Sequence, residues 1–259
     1  MKVETPSGKE LKHNTTSESN GEYNVSYTAD CIGQHNVAIE INGQPLSGSP
    51  WRVQVSPHRY KRLLCFGSYG KAQGQFAWPC DIAINDTTGN IAVADRGNNR
   101  VQLFSSAGGY LKAISTKELT EPTSVAFTRS SDLIVIASRK IFCFNESGKF
   151  VKNITSKHLN KPFCLTIARD GRMVVCDLGD YTVKVLTSVG SRLLLTISDP
   201  NRAWPWYAVC HQDMFTVSYL GAITVKVFSN DGVFVYSIGT AGSGDGQLSF
   251  PAGLTIDRF

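Results

Sequence analysis

Five prolines set the frame of this chain. Pro79, Pro122, Pro162, Pro205 and Pro251 stand 43, 40, 43 and 46 residues apart. Close behind each comes a short apolar run: DIAI, SVAF, CLTI, YAV and GLTI. After the first four prolines follow a polar turn, a second run (NIAVA, LIVIA, MVVC, MFTVS), a loop, a third run (VQLF, IFCF, VKVL, VKVF), a Gly turn and a fourth run (YLKAI, FVKNI, LLLTI, FVYSI). Runs this short, rich in Val and Ile and bounded by Gly, Asn and Asp, read as antiparallel strands. Four strands in about 40–45 residues is the period of a β-propeller blade. Helical solenoids have similar periods, but no unit here contains an amphipathic stretch long enough for a helix. The expectation is an all-β chain with blades at about 79–115, 122–155, 162–198 and 205–239, and the start of a fifth at 251–259.

Residues 1–56 carry a different pattern. Tyr23, Val25 and Tyr27 alternate along one strand, Val37, Ile39 and Ile41 along a second, and Trp51, Val53 and Val55 along a third. Asn42-Gly43 is a tight-turn signal. Three strands with one apolar face suggest part of a β-sandwich. Residues 57–66 read as a junction followed by an outer strand, Tyr60–Phe66, and the propeller as 67–259.

Composition narrows the function classes. Hydrophobic content of 42% with 18% charged residues is a globular balance. No apolar run approaches the ~20 residues of a membrane helix, and no membrane contact is expected. The net charge of +5 permits an acidic partner without demanding one. The seven cysteines contain no C-x-x-C pair and mostly sit in apolar runs, which reads as reduced thiols in a cytoplasmic protein.

Two segments carry a family resemblance. GEYNVSYTADCIGQHNVAIEINGQPLSGSPWRVQV resembles the C-terminal half of a filamin-type immunoglobulin repeat, well over residues 21–55 and weakly over 3–20. FGSYGKAQGQF-x-x-P followed by NIAVADRGNNRVQLF resembles an NHL repeat, with VCDLGDYTVKVL and VSYLGAITVKVF as degenerate copies. The order of the two modules is similar to that of the TRIM-NHL proteins, many of which are RING-type E3 ubiquitin ligases. The resemblance implies a filamin-type sandwich lacking its first strands and an incomplete propeller, so that the chain is a fragment at both ends. It implies no catalysis within this chain, since zinc is expected only in RING and B-box modules that the chain does not carry.

In a propeller, the loops between blades and those joining second to third strands share one face. Here they carry Trp78, Arg96, Asn98, Arg139, Lys140, Lys161, Tyr181, Trp204 and Tyr219, the candidate contacts. Cations interleaved with aromatics suit a peptide, or single-stranded or hairpin RNA held through phosphates and stacked bases. Glu121, Asp177 and Asp180 share the face and weaken the RNA reading. Trp78 and Trp204 have an alternative role, packing on the adjacent blade. The Asp95–Arg100 spacing allows a charge-assisted pair, with Asn side chains satisfying turn amides; direct ligand contact by Arg96 or Asn98 is the alternative. Asp177 matches Asp95, but Thr182 and Thr224 replace Arg100.

The expected function is target recognition, delivering protein substrates for ubiquitination. RNA binding for post-transcriptional repression is the first alternative. A metal-dependent propeller enzyme is the second; against it, the first strands offer only Asp81 and the histidines are scattered. No catalytic or metal-ligating residue and no cofactor is assigned.

Overall fold

The computed structural model describes residues 2–17, 23–29, 31–56 and 64–256. The chain divides into two compact units, Met1–Leu63 and Leu64–Phe259.

In the first unit, Gly33–Ala38 is the middle strand of a sheet, with Lys2–Glu4 on one side and Trp51–Val55 on the other. His13–Ser17 pairs with Tyr23–Tyr27 in a separate ladder. Two expectations change here. The segment before residue 20 supplies two strands that the apolar pattern did not reveal, because HNTTS is polar throughout and is held as a strand by its ladder with Tyr23–Tyr27. The Asn36–Ile41 run divides into Gly33–Ala38 and Glu40–Ile41. The second piece forms a two-residue hairpin through Asn42 and Gly43, both at positive φ, as the dipeptide demands. Burial is sparse: Val3, Thr5, Leu11 and His35 are covered, whereas Tyr23, Ile41, Trp51 and Val53 are exposed.

The second unit contains four antiparallel four-stranded sheets in sequence order. Blade 1 is Pro79–Ile84, Ile91–Asp95, Arg100–Phe104 and Tyr110–Ile114. Blade 2 is Pro122–Phe127, Leu133–Ala137, Lys140–Phe144 and Phe150–Ile154. Blade 3 is Pro162–Ile167, Met173–Asp177, Thr182–Leu186 and Leu193–Ser198. Blade 4 is Pro205–His211, Met214–Tyr219, Thr224–Phe228 and Phe234–Ile238. The prolines explain themselves. Each of the first four opens a first strand opposite the last residue of the second, and the register slips just after it. A residue without an N–H is tolerated at a strand start or beside a bulge.

The core lies between blades. Leu133, Val135 and Ala137 face blade 1, where they meet Ala92, Ala94 and Leu103. Ile134 and Ile136, the alternate residues of the same strand, meet Leu165, Met173 and Val175 of blade 3. Val174 and Cys176 in turn pack with Phe215, Val217 and Phe228 of blade 4. Central strands buried on both faces must be apolar at every position, so LIVIA and MVVC show no alternation. At the two ends of the series the pattern stops: Ile82 and Ile84 of blade 1, and Phe234, Val235 and Tyr236 of blade 4, are exposed.

Two expected strands differ. Tyr60–Leu63 lie outside the described residues, and Leu64–Phe66 form no strand. Phe66 instead packs its ring on Phe104 at 4.8 Å. Pro251–Ile256 also forms no strand, and residues 257–259 lie outside the described residues. A strand is defined by its ladder, and among the described residues no second run pairs with this one. Ser218 Oγ–H donates to the Ala252 carbonyl at 2.6 Å. The cysteines also depart from expectation. None of the seven, all described, is in a disulfide, and Cys143, Cys164 and Cys176 are buried. Cys31, Cys65 and Cys80 are exposed; Cys80 belongs to the first strand of blade 1, which no further four-stranded sheet covers among the described residues.

The loop leading into blade 1 is built twice. Ser68–Tyr69 pairs in parallel with Gln75–Phe76, and Thr240–Ala241 with Gln247–Leu248. In both, a glutamine side chain accepts from the loop amides, Gln75 from Ala72 at 3.1 Å and Gln247 from Gly244 at 2.9 Å. Gly67 sits at φ +85, and a Cβ there would lie 2.2 Å from the Phe76 ring, which is itself packed on Phe104. Gly74 has positive φ but open space around it. Gly67→Ala is expected to cost about 2–4 kcal/mol and Gly74→Ala about 1 kcal/mol in urea denaturation; equal costs would show that the ring contact does not matter.

Candidate target-binding face

The face is organised by one polar device, repeated with substitutions. In blade 1 the Asp95 carboxylate is fully buried at the end of the second strand. It accepts from the Ala77 amide at 2.7 Å, Arg100 Nε at 2.7 Å, Asn98 Nδ2 at 2.9 Å and Gln102 Nε2 at 3.1 Å. The donors reach onward into the preceding loop: Arg100 to the Ala72 and Gln75 carbonyls, Gln102 to Gln75, Asn98 to Gly70. The hairpin of the blade is thereby tied to the chain entering it. Asn98 is spent on this network, and Asn99 Oδ1 accepts from the Glu121 amide at 2.8 Å.

Blade 3 performs the same task with other residues. Asp177 accepts from the amides of Asn160 and Lys161, both at 2.7 Å, and of Gly179 at 2.9 Å. The cation comes from Lys184, not from the Arg100 position. Its ammonium lies 3.2 Å from Asp177, 2.5 Å from Asp180 and against the His158 carbonyl. In blade 4, Lys226 pairs with Asp199 of the entering loop. In blade 2 the arrangement is apolar: Phe142 packs with Leu119 and Ala137. Gln102, Phe142, Lys184 and Lys226 occupy one register position, the second residue of each third run. A polar residue inside an otherwise apolar run was the signal that sequence reasoning passed over.

Burial alone would push the Asp177 carboxyl up. The three amides and Lys184 outweigh it and hold the group below the usual carboxylate range. Asp81, in the first strand of blade 1, goes the other way. Burial pushes it up against donors Ser124 Oγ at 2.6 Å, the Val125 amide at 3.0 Å, the Ile82 amide at 2.9 Å and Tyr207 Oη at 3.3 Å. The Tyr207 phenol is raised far above its ordinary value, by burial first and then by the Asp81 charge. Asp81 is thus a hub linking the first strands of blades 1, 2 and 4. Among the described residues no group of three or more His, Cys, Asp or Glu is placed to hold a metal ion.

The remaining sequence candidates fall into three groups. Arg96, Arg139 and Lys161 line one cleft of about 520 Å³ together with Glu121, Thr123, Phe163 and Trp206. Arg96 is paired with Glu121 at 3.3 Å, both partly exposed; Arg139 and Lys161 have no ion-pair partner among the described residues. Lys140 is paired with Glu118 at 3.3 Å at the surface. A second group is a stack: Arg202 lies 5.1 Å over the Tyr181 ring, and Tyr181 stacks on Trp204 at 6.3 Å and 22°. Trp78 stands apart, 79% exposed. Tyr219 leaves the set. It is 1% exposed at the position that Asp95 and Asp177 hold in their blades, so packing against Phe228 and Lys226 takes it out of reach of a ligand.

The comparisons with known proteins fit this architecture. Residues 1–52 match the Filamin/ABP280 repeat and residues 76–104 the NHL repeat. The rat protein "E3 ubiquitin-protein ligase TRIM71" is 34% identical over 110 residues, 40% of this chain and 13% of that protein. The two family models, in this order, together with this relative support a resemblance to part of a TRIM-NHL protein. "Protein lin-41" of Caenorhabditis elegans is 32% identical over 116 residues, 42% of this chain and 10% of that protein. The matched region is therefore a small part of these TRIM-NHL relatives. Streptogramin B lyase is similar in fold, with a TM-score of 0.51 at 14% identity over 89% of this chain and 69% of that one. No helix among the described residues is long and apolar enough to cross a membrane.

Two outcomes test the polar device. Asp95→Ala leaves Arg100 and Gln102 without their acceptor and is expected to cost about 3–5 kcal/mol in urea denaturation, with faster exchange of the Ala77 amide. Asp177 has a folded-state value below its unfolded one. Its stabilisation is present above the ordinary Asp value of about 4 and is lost as pH falls through the lowered folded value. The stability gap between the parent chain and Asp177→Asn should therefore be widest at neutral pH and close in acid. A gap that does not vary with pH would refute that assignment.

Proposed function

We propose that this region is the target-recognition part of a TRIM-NHL E3 ubiquitin ligase acting in the cytoplasm, and that the cleft lined by residues of blades 1 to 4 grips protein targets. The observation that carries the reading is the charge state of the cleft. Within it Arg96 is neutralised by Glu121, which leaves Arg139 and Lys161, without an ion-pair partner among the described residues, beside the aromatic pair Phe163 and Trp206, 4.4 Å apart. Two free cations beside an apolar floor suit an acidic residue with an aromatic or aliphatic neighbour. A nucleic acid backbone would also meet Glu118, Glu121 and Asp180 along the same face. The stacked Arg202, Tyr181 and Trp204 supply a second, planar contact suited to a proline or aromatic ring.

The test is quantitative capture of cytosolic partners with the parent chain and with Arg139→Glu/Lys161→Glu and Trp204→Ala. All of these side chains are exposed, so folding should be unaffected. Specific partners are expected to fall about ten-fold in both variants, and single-stranded RNA to bind no better at 50 mM than at 200 mM salt. RNA affinity that climbs steeply at low salt and disappears on charge reversal would favour the repressor reading instead.

A further inference from the structure

The opposite face holds a second cleft, of about 630 Å³, whose floor is Ile84, Phe127 and Ile167. These are the last residues of the first strands of blades 1, 2 and 3, and Ile84 is 61% exposed. Each leads into a turn of the same construction. The Asn85 amide donates to Asn90, Thr128 to Asp132 and Ala168 to Arg172, at 2.8, 2.9 and 2.9 Å. Equivalent turns bring equivalent positions to the rim: Asp86, Arg129 and Arg169. The turns are held by their own side chains, Asn85 Oδ1 accepting from the Thr87 amide at 2.9 Å and Thr128 Oγ1 from the Asp132 amide at 3.1 Å. Arg172, close by, is occupied by Asp170 at 2.5 Å and Asn230 at 3.3 Å. Arg129 and Arg169 are exposed and have no hydrogen-bond or ion-pair partner among the described residues.

We propose that this cleft binds a peptide segment presenting a carboxylate beside an aliphatic side chain, the carboxylate held by Arg129 and Arg169 and the aliphatic group on Ile84, Phe127 and Ile167. A guanidinium matches a carboxylate through two parallel hydrogen bonds. The aliphatic floor rewards an apolar neighbour of that carboxylate. Asp86 on the same rim disfavours a chain with a charge at every unit, which argues for an isolated carboxylate over a phosphate backbone.

Fluorescence anisotropy on the full chain tests this, with a fluorescein-labelled peptide containing Glu-Leu-Glu and its Gln-Leu-Gln counterpart. Saturable binding of the acidic peptide is expected. It should weaken about ten-fold or more for the glutamine peptide and for Arg129→Glu or Arg169→Glu. It should be unchanged by Arg139→Glu/Lys161→Glu, so the cleft on the other face can fail its own test without deciding this one. Retained melting temperature in the variants excludes unfolding as the cause. Absence of binding by the parent chain, equal binding of the two peptides, or binding that survives both reversals would overturn the proposal. So would oligouridine displacing the acidic peptide through the same two arginines.

Discussion

A four-stranded sheet whose central strands are apolar on both faces cannot stand alone in water. This constraint governs the propeller unit. Every blade must be covered on two sides, and the sequence order of the blades supplies one neighbour after another. Leu133, Val135 and Ala137 need blade 1, while Ile134 and Ile136 need blade 3. At roughly 25 cal/mol per Å² of apolar surface removed from water, the interleaved faces outweigh any single hydrogen bond. Where the series stops, the same rule leaves Ile82, Ile84, Phe234 and Tyr236 exposed.

Apolar packing brings blades together without fixing their angle. The buried carboxylates do that. Asp95 and Asp177 sit where a hairpin meets the chain entering its blade, and each is surrounded by donors from that chain. Removing such a charge from water is unfavourable unless every lone pair finds a donor. The arrangement therefore tolerates one geometry and penalises the rest. Blade 2 omits it and uses Phe142 on Leu119. The substitution is consistent: a polar pair and an aromatic contact both fill the gap between hairpin and entering loop.

Positioning of the loop face follows. Arg96 and Arg139 come from loops between second and third strands, and Lys161 from an inter-blade link. Asp177 holds the Lys161 amide, and Asn99 holds the amide of Glu121, the partner of Arg96. The residues that build the blade junctions thus also set where the cleft cations stand. On the other face, turns of one design place Arg129 and Arg169 at matching positions.

Periodicity alone was enough to read the blades, because a proline that cannot donate and four apolar runs per period leave few other folds. The Asp95–Arg100 contact was also legible from spacing. Other features depended on neighbours distant in the chain. Lys184 replaces Arg100 from a different strand position, since only the folded hairpin shows which side chains reach the entering loop. Tyr219 looked like a loop-tip aromatic and is buried, because its rank in the strand is that of Asp95. His13–Ser17 is a strand by pairing and not by pattern. The sequence by itself determined the number and order of strands in the four blades, which are local consequences of backbone geometry and turn chemistry. Tertiary structure decided which charges are neutralised and which remain available to a partner, because that depends on distances between blades and not on residues along one run.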